Sequence, residues 1–269
     1  MSEKVICSRE LESSEEIMPS NNECPNVLVT KTEQETLDKN YQEVKLSAQK
    51  NGKNKTMQLL EQAILKNSRA VINLKPCHLK EMIQGHFKNY YEMQKIKNRD
   101  LKREETDEKF FGDCKIHIRY AALSLDGWGL SAYGICTICL RESALQNRAS
   151  LLIQNSFTFV DEYPYSPNSP YPPPGYRSTW QERYKLAVVK LFDKIDPNMD
   201  EEQLAQLILE DKKNKIADEF IEIHICGSFT TEIIESAGII SEPTDENDKT
   251  HLAVIKKKLD NKWKGMKPK

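Results

Sequence analysis

The sequence predicts an α+β fold, a β-sheet core with flanking helices behind a disordered N-terminal leader, and three observations carry that expectation. Residues 1–55 are rich in Glu, Ser, Asn and Lys with almost no recurring apolar spacing, so they offer too little apolar surface to offset the entropy of ordering. Beyond residue 108 the texture changes to short β-rich runs, KIHIRYAALSL, YGICTICL, SFTFV and EFIEIHIC, each bounded by Gly, Asp, Asn or Pro. Between the third and fourth runs, Trp180, Tyr184, Ala187, Val188, Leu191, Phe192 and Ile195 fall on one helical stripe.

Each element follows in order. Leu60, Ala63 and Ile64 have helical spacing, and Leu79, Ile83, His86, Phe87 and Tyr90 extend a second helix after Pro76. Together they predict a helical arm over 56–108, closed by the charged stretch 98–108, with the core domain spanning 109–243. YGICTICL reads as a buried strand. Its Cys136 and Cys139 form one C-x-x-C, the spacing of half a zinc site, but no second C-x-x-C or H-x-x-H completes four ligands, so both thiols read as core side chains and no metal is expected. SFTFV reads as a third strand, with Ser156 and Thr158 on one face. YPYSPNSPYPPPGYR then reads as a stiff loop over 163–176, with docking of its prolines in a partner's aromatic groove as the alternative. Ser178 and Gln181 have the spacing of a capping box. A helix over about Asp200 to Asp211 and a basic C-terminal helix within 244–269 complete the chain.

Composition excludes several functions. Lys+Arg at 39 against Asp+Glu at 41 leaves a net charge of -2, without the broad basic field that nucleic-acid binding uses. No run approaches the roughly 20 apolar residues of a membrane span, and the opening MSEKVICSRELESSEE is acidic where a signal peptide is basic and then apolar. A soluble cytoplasmic protein is expected, without nucleic-acid or membrane partners. The cysteine count of 7 is odd and unpatterned, which argues for a reducing compartment. Apolar residues at 38% and a mean hydropathy of -0.65 agree with a chain that is partly solvated tail. No G-x-x-x-x-G-K-[ST], G-x-G-x-x-G, G-x-S-x-G or H-E-x-x-H occurs, and Asp126-Gly127-Trp128-Gly129 lacks the remaining positions of a dinucleotide loop.

The candidate chemistry lies on three of the β-runs. In FIEIHIC, strand alternation sends Ile221, Ile223 and Ile225 to one face and Phe220, Glu222, His224 and Cys226 to the other, so Glu222 and His224 stand side by side. Arg119 sits mid-strand in the first run, where a guanidinium needs an anion or a carboxylate. Asn155 and Ser156 are polar residues set in the apolar LLIQNSFTFV.

An arginine, a serine and a glutamate in that order on successive strands resemble the mono-ADP-ribosyltransferases of the Arg–Ser–Glu type. More locally, YGICTICLRESALQNRASLLIQNSFTF and the later FIEIHICGSF resemble a bacterial toxin pattern of that family, over about residues 112–240. The resemblance implies an ADP-ribosyltransferase-like split β-sheet core and an NAD-dependent enzyme that modifies a protein target. It further implies a bacterial effector or toxin secreted into a host cell by a dedicated machine. On that reading Glu222 stabilises the oxocarbenium-like ribose, Arg119 binds the NAD pyrophosphate, Ser156 orients the glutamate or the ribose, and Tyr120, Tyr133 or Phe157 stacks on nicotinamide. The chain departs from the family in carrying Asn155-Ser156-Phe157 where Ser-Thr-Ser is common, and Phe220 where arginine-modifying members carry Glu or Gln. If Glu222 is instead that upstream residue, His224 takes the catalytic place and the site is degenerate. A different class of function also fits the sequence: a non-catalytic interaction module that uses loop 163–176 and the flanking helices.

Overall fold

The computed structural model describes residues 27–85, 87–94 and 100–268. Helix α1 (Lys31–Lys50) lies where composition predicts a disordered leader, and only residues 1–26 of that leader fall outside the described residues. A capping box starts α1: Thr30 Oγ1 accepts the Glu33 N–H at 3.3 Å, and Glu33 Oε2 accepts the Thr30 N–H at 2.7 Å. Leu37, Tyr41 and Ala48 follow at helical spacing and are buried. They are too few to lift the average composition of the segment, which is why composition misses them.

Helix α2 (Asn54–Asn67) leads into β1 (Arg69–Leu74), and this strand corrects the expected helical arm. RAVINL is a short apolar β-branched run, and it pairs on both sides in the middle of the main sheet. The helix expected after Pro76 divides at Gly85 into α3 (Pro76–Gln84) and α4 (Tyr90–Gln94); His86 lies outside the described residues. Helix α5 (Leu101–Phe111) crosses the boundary expected near residue 108, because Asp100 caps it and Phe110 and Phe111 bury its end.

Strands β2 (Ile118–Ser124), β3 (Cys136–Leu140) and β4 (Ala149–Leu152) follow. SFTFV is not a strand but helix α6 (Ser156–Glu162), whose cap Asn155 accepts the Phe157 N–H at 2.9 Å. Ser178 lies on β5 (Arg177–Thr179), so the expected capping box does not form and α7 begins later (Arg183–Leu191). Helix α8 (Glu201–Ile208) starts at a capping box on Asp200 and Gln203. A hairpin of β6 (Leu209–Glu210) and β7 (Glu219–Phe220) then delivers β8 (Glu222–Cys226), followed by β9 (Ile234–Ile239), α9 (Glu246–Leu259) and β10 (Trp263–Met266).

The main sheet runs β10-β9-β3-β1-β2-β8-β4-β5, antiparallel except for β10 beside β9. Ala121, Leu123, Leu151, Ile223 and Ile225 from one face join residues of α1, α2, α7 and α8 in the larger core. On the other face Ile118, Leu152 and Cys226 pack with Phe110, Phe111 and Phe159 of α5 and α6. The β1–β2 ladder covers Arg69–Ser124, Ala70–Leu123 and Val71–Ala122. Beyond it β1 continues beside β3 and β2 beside β8, so the sheet opens into a fork.

Loop 163–176 is free of helix and strand. Residues 164–170 are exposed, whereas Tyr163, Tyr171 and Tyr176 pack on Phe159. Cys136 is buried in the larger core, and the Cys139 thiol donates to Gly127 O at 3.1 Å. Cys226 is disulfide-bonded, whereas Cys77, Cys114, Cys136 and Cys139 are free. Among the described residues, no helix is long and apolar enough to cross a membrane.

Candidate active site

The fork holds a cleft of about 260 Å³. Residues of β1 (Val71, Ile72 and Asn73) and β2 (Tyr120, Ala121 and Ala122) line it. Five aromatic side chains line it: Tyr90, Tyr120, Tyr133, Phe157 and Phe220. The polar groups that reach it are Asn73, Asn155, Arg103 and Glu222. A second cavity of about 270 Å³, lined by α3, residues 87–90 and the start of β2, shares Ile72, Asn73, Tyr90 and Tyr120 with it.

Glu222 is where alternation puts it, on the face opposite Ile223, but that face is covered and not solvated. Glu222 is 4% exposed and His224 is fully buried. Glu222 Oε1 takes the His224 Nε2 hydrogen bond at 2.7 Å and the Ser156 N–H at 3.3 Å. Burial pushes the Glu222 carboxyl pKa up, yet the hydrogen bond and charge of His224, followed by the positive charge of Arg103 and the Ser156 N–H, outweigh it and hold the group below the usual carboxylate range. Burial pushes His224 down, against the pull of Glu222. With Nε2 engaged by Glu222, His224 Nδ1 has no hydrogen-bond partner among the described residues. The rings of Phe111 and Tyr120 meet the imidazole edge-on, with centroids at 4.9 and 5.4 Å. The site therefore presents a fixed carboxylate, ionised at neutral pH, to an aromatic cleft.

Tyr120, Tyr133 and Phe157 converge on this cleft with Glu222. Ser156 reaches Glu222 through its backbone N–H from the first turn of α6, not from a strand, and its buried Oγ has no partner among the described residues. Asn155 donates from Nδ2 to Tyr133 Oη at 3.2 Å and so ties the start of α6 to the cleft wall.

Arg119 does not join them. In the β2–β8 ladder Tyr120 opposes His224 and Ala122 opposes Glu222, whereas Arg119 opposes Ile225. Directly paired residues share a face, so Arg119 projects from the isoleucine side. It donates to Phe87 O at 3.0 Å, Gly227 O at 2.8 Å and His117 O at 3.3 Å, and forms an ion pair with Glu92 at 3.0 Å. It borders the second cavity instead.

Sequence reading misses Arg103, Asn73 and Phe220 as lining groups. Asn73 Oδ1 accepts the Leu130 N–H at 2.8 Å while its Nδ2 donates to Gly134 O and Thr137 Oγ1, both at 3.0 Å, which fixes the loop over the cleft. A polar residue set within the apolar part of RAVINL was the available signal for Asn73; Arg103, inside a charged run, carried none. The chain matches no protein-family model and no curated protein.

Proposed function

We propose that the protein is an NAD-dependent mono-ADP-ribosyltransferase that modifies a protein. One observation carries this reading: an ionised, buried Glu222, oriented by His224 and the Ser156 N–H, faces a cleft walled by aromatic rings. Aromatic faces and a carboxylate suit a planar cation such as the nicotinamide ring of NAD. When the nicotinamide–ribose bond breaks, its electron pair leaves with nicotinamide and C1′ of the ribose becomes oxocarbenium-like. The carboxylate stabilises that charge as it develops, and the acceptor then bonds to C1′ and releases its proton. Two adjoining cavities of about 260 and 270 Å³ that share Tyr120 and Asn73 suit a two-lobed dinucleotide better than a single small molecule. The sheet fork and the Glu222 strand agree with the expected split-sheet core of this family.

The test is nicotinamide release from labelled NAD, together with transfer of label to proteins of a cell lysate. Glu222→Gln is expected to lower both at least about a hundredfold, since the lost group acts on charge present only in the transition state, while NAD binding stays measurable. A native protein no more active than Glu222→Gln would end the transferase reading.

A second reading, an interaction module, draws on loop 163–176, where exposed residues 164–170 are held out from a base of packed tyrosines. Absence of NAD binding, with capture by an aromatic-groove domain that depends on Pro167 and Pro170, would favour it.

A further inference from the structure

The cleft holds a cation as well as a carboxylate, and the cation comes from α5. The Arg103 guanidinium lies 3.6 Å from the ring centroid of Tyr120 and 5.1 Å from that of Phe157, so two cleft walls hold its plane. Its Nε forms an ion pair with Asp107 at 2.9 Å, and the Arg103 and Asp107 side chains are 11% and 1% exposed. Asp107 is held in turn: Tyr120 donates to Oδ1 at 2.6 Å and Tyr91 to Oδ2 at 3.1 Å. The Nε edge of Arg103 is thus occupied. Its Nη2 is buried, on a residue that lines the cleft, and has no hydrogen-bond partner among the described residues.

A buried guanidinium N–H without an acceptor is unfavourable unless something that binds there completes it. Arg119 differs in that backbone carbonyls and Glu92 occupy its donors, which makes it a structural tie. We propose that Arg103, not Arg119, is the ligand-binding cation of the cleft, donating from Nη2 to an anionic phosphate oxygen of a nucleotide, and that Asp107 is the residue that positions it. The assignment of that nucleotide as NAD rests on the transferase reading; the phosphate contact does not. A cleft with Glu222 and Arg103 on its lining is itself dipolar, and suits a ligand that joins a cationic ring to a phosphate.

The test measures binding of ADP-ribose, which carries the diphosphate, and of nicotinamide, which lacks it, to the full chain by calorimetry. Arg103→Gln is expected to weaken ADP-ribose about tenfold or more, the effect of one charged hydrogen bond, and to leave nicotinamide unchanged. Asp107→Asn should weaken ADP-ribose severalfold, and the double variant should be no worse than Arg103→Gln, because Asp107 acts only through Arg103. If Arg103→Gln does not fold, Arg103→Lys decides: weaker ADP-ribose binding with nicotinamide unchanged supports the assignment. Native affinity for ADP-ribose in the Arg103 variant, equal losses of both ligands, additive losses in the double variant, or no ADP-ribose binding by the native chain would each overturn it. Arg103-dependent ADP-ribose binding without NAD cleavage would leave this assignment standing and remove the transferase reading alone.

Discussion

Asp107 shows how burial sets the chemistry of a single group at this site. Removal from water, with a smaller push from the neighbouring Glu222, raises its pKa to about 6 against the opposing charge of Arg103 and the hydrogen bond from Tyr91. The folded carboxyl therefore holds its proton more tightly than an unfolded aspartate near 3.8. Its contribution to stability is complete below about pH 4 and is lost as the pH rises through about 6. The rise from 3.8 to about 6 corresponds to about 3 kcal/mol. Between pH 4 and pH 7 the stability of Asp107→Asn relative to the native protein should rise by up to that amount. Urea unfolding of both proteins at the two pH values measures it, and a flat or falling difference would mean that Asp107 is ionised throughout. Among the candidate residues, Glu222 was legible in the sequence because alternation along FIEIHIC is local, and so was its neighbour His224. Burial of the pair was not legible, because α5 and α6, which supply the covering Phe110, Phe111 and Phe159, are remote in sequence.

At the scale of elements, α1 and the loop before β3 show what holds the cleft's surroundings. Arg177 of β5 is fully enclosed and donates to Glu33 of α1, to Val27 O and to Ser150 Oγ. Glu33→Ala would leave that guanidinium buried without its carboxylate, at a cost of about 3–5 kcal/mol, and Leu37→Ala would open a cavity worth about 2–5 kcal/mol. Thermal or urea melts check both; a change below about 0.5 kcal/mol in each would mean that α1 does not hold the sheet. The loop after β2 passes close to β1: a Cβ at Gly129 would lie 1.7 Å from Asn73 Oδ1. Gly129→Ala should therefore displace Asn73, which lines both cavities. ADP-ribose and nicotinamide affinities should both fall, in contrast to the selective loss expected for Arg103→Gln, and calorimetry on the same ligands separates the two. Asp126-Gly127-Trp128-Gly129 thus reads as a close-packed turn: the Asp126 carboxylate accepts the Trp128 N–H at 2.9 Å, and Ser124 Oγ donates to it at 2.8 Å.

For the whole molecule, the arrangement that matters is the main sheet forked between β1 and β2, with the aromatic cleft in the fork and a helix layer on each face. The sequence by itself determined the α+β class, the strands YGICTICL and EFIEIHIC, the stripe of α7 and the Pro/Tyr loop, because each is written in the spacing of neighbouring residues. It also determined which face of β8 carries Glu222. Only the tertiary structure decided that RAVINL is a central strand, since a run of six apolar and polar residues gains its identity from the strands on either side. Asn155 turned SFTFV from an expected strand into α6 by capping it, a choice between two local states that packing of Phe159 completed. The face of Arg119 and the arrival of Arg103 were likewise tertiary decisions. Register between β2 and β8 sets Arg119 opposite Ile225 and away from Glu222, and a one-residue slip would have reversed it. Arg103 reaches the cleft because Phe110 and Phe111 pin α5 to the sheet, a contact between segments separated by more than the span of any local pattern.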